Sequence, residues 1–305
     1  MTTGVVPRPA FLPASACGHG CLPGPGETPA VGWPTRAVRL AALVAVLLLG
    51  LIVALAQPLA RGAGVQGWFR LLLWAAGARL VVTGDPRIQP GTLVTGNHVS
   101  WLDIPAIAAL TRVRVLSKAD VRQWPLVGWL AAAGGTLFVD RTRLSSLPAT
   151  VATVAETLGS GRSVLVFPEG TTWCGRTQGR FYPAAFQAAI DAGAPVQPVH
   201  LRFVADSQPT TAAAFVGDDT LLSSVLRVVA IRRLTIEVRL APPSPGAPVA
   251  GLHRAAARRA WAADTAATIR AMGNRADRPG RAAGPRPATQ ANCGSDSGVN
   301  AYAQP

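Results

Sequence analysis

Between Leu80 and Leu240 the chain alternates short β-branched, apolar runs with helical stretches, and few folds accept that pattern. The strand-like runs are Leu80–Thr83, Thr92–Thr95, Val113–Leu116, Thr136–Val139, Ser163–Phe167, Val196–Phe203 and Leu234–Leu240. Helical periodicity falls at 104–110, 121–132, 147–159, 184–192 and 220–231, with one more alanine-rich helix over 252–272. Strands alternating with helices predict an α/β fold: a mixed, largely parallel sheet flanked by helices.

Three polar turns follow strand-like runs: NHVSWLD (97–103), DRTR (140–143) and PEGTTWCGR (168–176). In open α/β sheets ligands bind beyond the carboxyl ends of the strands. If the three strands share a direction, the turns meet at one edge. His98 and Asp103 then suit base chemistry. A histidine titrating near neutrality takes a proton from a hydroxyl, and a carboxylate on its other ring nitrogen sets the tautomer. No GxSxG elbow is present, so the nucleophile is expected to be a hydroxyl of the substrate. Ser100, inside the first turn, is the alternative nucleophile. A bland reading remains open, in which His98 fills a polar turn and Asp103 caps a helix.

Charged residues make up only 14% of the 305 residues, against about 25% in an ordinary soluble domain. Net charge is nevertheless +14, nearly all from arginine, because Lys118 is the single lysine. An apolar, basic chain suits an anionic membrane or a phosphorylated substrate, and no arginine stripe with interleaved aromatics points to nucleic acid. The run Leu40–Ala60 carries no charge and is long enough to cross a bilayer as a helix. Residues 67–80, with Trp68, Phe69, Trp74, Arg70 and Arg79, read as an interfacial helix or a core-packing one. Together the two segments form an anchor over 36–80, either spanning or dipping into one leaflet. Residues 1–35 and 274–305 are rich in Gly, Pro and polar residues and are expected to be disordered tails.

The four cysteines do not form a disulfide framework. Cys17 and Cys21 flank His19 in CGHGC, but no second pair follows at zinc spacing and Cys174 and Cys293 lack sequence neighbours, so no metal is expected. His200, in an apolar run, reads as a core histidine.

The chain resembles the glycerolipid acyltransferases. NHVSWLD carries their HxxxxD motif, GTLFVDR is similar to their second block, FPEGTT to their third and APVQPVHL to their fourth, all in family order. The match is nearest to bacterial 1-acyl-glycerol-3-phosphate acyltransferases and implies an acyltransferase domain over 81–273. It implies a general base at His98 oriented by Asp103. It also implies a phosphate-holding arginine at Arg141, with Gly135 and Phe138 in the same block. Glu169, Gly170 and Thr171 are implied to position the acceptor, and Pro195 and Pro198 to line the donor side. The implied reaction moves an acyl group from acyl-CoA or acyl carrier protein to the hydroxyl of 1-acyl-glycerol-3-phosphate, giving phosphatidic acid. No cofactor is implied, and the enzyme would act at the cell membrane with its catalytic domain on the cytoplasmic face. One departure stands out: block three ordinarily ends in arginine, and here that position is Thr172. Arg176 or Arg180 is the nearby substitute, and lyso-ornithine lipid is the alternative acceptor.

Overall fold

The structure is a computed structural model and describes residues 13–60, 63–140, 143–245 and 253–276. Eight strands form one sheet: β1 (Ala78–Thr83), β2 (Leu93–Gly96), β3 (Val113–Lys118), β4 (Leu137–Val139), β5 (Ser163–Val166), β6 (Val196–Ala205), β7 (Gln208–Pro209) and β8 (Leu234–Leu240). The order is β1-β8-β6-β2-β5-β3-β4, with β7 paired to β6. β6, β2, β5, β3 and β4 run parallel, while β8 runs antiparallel to β6 and carries β1 parallel beside it. The expected mixed, largely parallel sheet is what forms, and every strand-like run lies within two residues of a strand.

Eight helices cover it: α1 (Trp33–Ala60), α2 (Ala63–Ala75), α3 (Asp103–Ala108), α4 (Val127–Ala133), α5 (Leu147–Gly159), α6 (Ala184–Ala192), α7 (Leu221–Ala230) and α8 (Arg254–Ala276). Alternate strand residues point to opposite faces. Val94, Leu165 and Leu201 therefore pack with α1, α2, α3 and α7, while Leu93, Val164 and Val166 pack with α5, α6 and α8. α8 is mostly alanine and arginine, yet Trp261 and Ile269 are wholly buried and Trp261 meets Phe186 of α6 at 6.4 Å.

α1 is the one helix among the described residues long and apolar enough to cross a membrane, over Trp33–Leu55. Its 23 residues span roughly 34 Å at 1.5 Å each, against a hydrocarbon core of about 30 Å. Val38, Val44, Leu48, Ile52 and Leu55 are exposed, as is Trp74 on α2. The other flank is docked. Arg39 donates to the carbonyls of Val229 and Ile231 at 2.8 Å each, and Trp68 of α2 donates its indole N–H to Val46 at 2.7 Å. The second helix starts and ends earlier than its expected range of 67–80, because residues from Ala78 already extend β8 as β1.

The expectation of disorder through residue 35 is corrected from residue 13 onward. Residues 13–32 lie against the domain: Cys17 and Cys21 are buried, Val31 N–H donates to Ala230 at 2.8 Å and Arg232 N–H to Pro29 at 2.8 Å. This segment has little apolar content of its own, so its order comes from contacts with distant residues. Residues 1–12 and 277–305 lie outside the described residues.

Gly77 has φ +77° and a Cβ there would sit 2.2 Å from the Arg39 guanidinium carbon. Gly77→Ala is expected to cost about 1–2 kcal/mol from the left-handed backbone alone, plus the displaced arginine. A lowered melting temperature in detergent checks this, and an unchanged one contradicts the docking of α1.

Candidate active site

β2 and β5 are adjacent and parallel, so their carboxyl ends place the turns 97–103 and 167–176 side by side. The first turn is tied down on both flanks. Asn97, just past the end of β2, makes a two-way bond with Leu201 of β6: its amide donates to the carbonyl at 2.9 Å and its oxygen accepts from the N–H at 2.8 Å. At the other flank the chain enters α3 at Asp103.

His98 and Asp103 meet as the spacing predicts, with Nδ1 to Oδ2 at 2.8 Å. Oδ2 also accepts from Val99 N–H at 2.7 Å and Ser100 N–H at 2.8 Å. With two backbone N–H groups already on Oδ2, the proton of the Nδ1–Oδ2 bond is assigned to Nδ1. The imidazole Nε2 is then the lone-pair nitrogen. The Asp103 side chain is fully buried, whereas 20% of the His98 side chain is exposed. Asp103 is sealed in and His98 reaches solvent. Phe167 stacks flat on the imidazole, centroids 4.1 Å apart and planes 10° off parallel, which fixes the ring tilt.

Glu169 bonds to the His98 turn. It is 2% exposed, and its two oxygens are taken by backbone: Oε2 accepts from His98 N–H at 2.7 Å and Oε1 from Gly179 N–H at 2.8 Å. It braces the backbone of His98. Burial pushes its carboxyl up to about 7, against the lowering by the two N–H donors. Gly170 turns the chain at φ +69° and lies under Pro13, and Thr171 is half-buried beside it. Thr172 donates its hydroxyl to the carbonyl of Phe215, whose N–H in turn donates to Val99 at 2.8 Å. Trp173 N–H closes the bracket on His98 carbonyl at 2.7 Å.

Ser100 is fully buried and its Oγ accepts from Leu102 N–H at 3.3 Å, which leaves it no path to a substrate. β4, which carries the second block, ends three strand spacings from β2, roughly 14 Å away. Arg141 itself lies outside the described residues. Of the two substitute arginines, Arg180 lies over the Tyr182 ring at 5.9 Å. Arg176 lines a cavity of ≈ 470 Å³ beside Asn97 and Val99, together with Arg202 and Arg270. His200 borders the same cavity and abuts Gly273, half-buried rather than sealed in the core. Asn97, Phe167 and Trp173 escaped sequence reading as site residues, because a backbone tie and a stacking partner leave no chemical signature in a string.

The family profile described as Acyltransferase matches residues 79–202. A lyso-ornithine lipid O-acyltransferase of Pseudomonas aeruginosa is 41% identical over 188 residues, 62% of this chain and 71% of that one. The chain belongs to the acyltransferase family. A 1-acyl-sn-glycerol-3-phosphate acyltransferase of Neisseria gonorrhoeae is 37% identical over 153 residues, covering 50% of this chain and 60% of that relative. The crystal structure of the 1-acyl-sn-glycerophosphate acyltransferase of Thermotoga maritima is 17% identical, with TM-score 0.49, covering 79% of this chain and 98% of that one. The matched span runs from β1 through the His98 turn and Glu169 to β6.

Glu169 gives this site a pH signature. Its folded pKa of about 7 lies above its ordinary 4.5, so the folded chain keeps a proton that the unfolded chain releases. Stability from this group is full below about 4.5 and is lost as pH rises through 7. From pH 5 to 8 the melting temperature of wild type is expected to fall relative to Glu169→Gln, since charges common to both cancel. A constant difference across that range contradicts the assignment.

Proposed function

We propose that the chain transfers a fatty acyl group from a thioester, acyl-CoA or acyl carrier protein, to the free hydroxyl of a lysolipid at a membrane surface. The observation that carries this is the pairing of a sealed Asp103 with a partly exposed His98 at 2.8 Å, in a site whose neighbouring serine is buried. Nε2 accepts the proton of the lipid hydroxyl as its oxygen attacks the thioester carbonyl. The tetrahedral oxyanion collapses and expels the thiolate, which takes the proton back from the imidazolium. Asp103 stabilises the imidazolium throughout without taking its proton. No metal or organic cofactor enters this sequence of steps.

For the acceptor, lyso-ornithine lipid is the better-supported reading. Thr172 stands where block three ordinarily carries arginine, and its hydroxyl is engaged with Phe215 rather than directed at a ligand. The relative matched over 188 residues bears that specificity in its name. The second reading is the acceptor implied by the motifs, 1-acyl-glycerol-3-phosphate, held by Arg141. It is supported by the relative matched over 153 residues.

The exposed apolar flank of α1 seats the enzyme in the bilayer that holds acceptor and product, with the arginine-rich domain against the anionic cytoplasmic leaflet of the cell membrane.

The test offers labelled acyl-CoA and acyl carrier protein to the full chain in mixed micelles, with either acceptor. His98→Ala is expected to lower the rate by roughly 10²–10⁴-fold, the range for a positioned base. A rate within a few-fold of wild type contradicts the role of His98. Product from lysophosphatidate alone, with Arg141→Ala abolishing it, reverses the acceptor assignment and leaves the base in place.

A further inference from the structure

The chain carries no charge from Gln123 to Val139, and nearly all of that stretch is exposed or half-buried. Within it α4 buries only Gly128. A Cβ at Gly128 would stand 2.3 Å from the Arg122 carbonyl oxygen, so the helix presses on the short 3-10 turn before it, Ala119–Gln123. The larger side chains find no core. Trp124, Leu126, Val127, Trp129 and Leu130 join neither half of the hydrophobic core, and Trp129 is 47% exposed. Trp129, Ala132 and Ala133 stand at i, i+3 and i+4 and are all exposed, which makes one outward face. A single exposed tryptophan is ordinary on a soluble protein. A helix apolar on every side is ordinarily covered, by a core or by lipid.

Two observations say what covers this face. α4 packs beside α1, whose exposed flank carries Val44, Leu48 and Ile52, so the two uncovered apolar elements are neighbours. The charges that bound the bare stretch are mostly basic: Lys118, Asp120 and Arg122 before it, Asp140, Arg141 and Arg143 after it. The Arg122 guanidinium lies over the Phe138 ring at 5.7 Å, which places a cation at the edge of the apolar surface. Exposed tryptophan on an apolar helix, with basic residues at its margins, suits the boundary between the headgroups and acyl chains of an anionic leaflet.

We propose that α4 is a second lipid contact of this chain, its Trp129 face resting in the leaflet that receives the exposed flank of α1. The proposal rests on the seating of α1 in the bilayer. Two contacts fix the tilt of the domain on the surface, which one helix alone leaves free. β4 runs from α4 directly into the second block, DRTR, so contact at α4 sets that block at the level of the lipid headgroups.

The full chain is placed in vesicles of phosphatidylcholine and phosphatidylglycerol with plain or brominated acyl chains, and its tryptophan emission is compared. Subtracting the emission of Trp129→Phe isolates Trp129 among the eight tryptophans, and the same subtraction with Trp129→Leu guards against a shift peculiar to one variant. The Trp129 signal is expected to lose most of its intensity on brominated lipid and to change little with aqueous acrylamide. Quenching by acrylamide alone puts Trp129 in water and overturns the proposal, while bromine quenching of the remaining tryptophans keeps α1 in the bilayer. Shielding from both quenchers assigns α4 to a protein partner, a second copy or a carrier protein, and overturns it as well. If no tryptophan responds to bromine, the seating of α1 fails, and this contact fails with it.

Discussion

The site hangs on a single oxygen. Oδ2 of Asp103 collects a ring N–H from His98 and two backbone N–H groups, from Val99 and Ser100, in a pocket closed to water. Hydrogen bonds to a charged acceptor are stronger than neutral ones, and low surrounding polarity strengthens them further. One carboxylate therefore shapes the turn that leads into α3 and selects the histidine tautomer. Losing it would leave two backbone donors buried without an acceptor, at about 1–3 kcal/mol each.

Glu169 repeats the device across the strand gap. Its two oxygens bridge the backbone of the base to the loop at Gly179, binding the carboxyl end of β2 to the segment after β5. Trp173 and Thr172 close the same circuit from the far side, through His98 and Phe215. His98 thus rests on backbone bonds to neighbouring turns, with Phe167 as the flat surface beneath it. Catalysis by proton transfer requires such rigidity, because the lone pair must hold its direction while the substrate's hydroxyl arrives.

Much of this was legible in the sequence, for identifiable reasons. Leu234–Leu240 announces a strand because alternate residues are buried, and Val196–Phe203 because it is apolar and buried nearly throughout. His98 and Asp103 announce themselves because the turn has polar residues where a fold needs none. Glu169 was legible as important but not as a brace: its role depends on Gly179 N–H, which no motif records. The N-terminal segment was illegible. Its prolines and glycines give the composition of a loose tail, and its order comes from cysteines, carbonyls and a proline meeting residues more than a hundred positions away. Asn97 belongs with it, since a tie to a neighbouring strand becomes visible only once β6 lies beside β2.

The central claim is that Asp103 holds His98 with its proton on Nδ1 and its lone pair on Nε2. Nitrogen-15 NMR of histidine-labelled protein at alkaline pH reads this directly. The chain has four histidines, so the His98 signal is the one lost in His98→Gln. The account predicts an Nδ1–H tautomer for that signal, opposite to the Nε2–H form that free imidazoles favour. An Nε2–H signal, or the mixture of a solvated side chain, would contradict it.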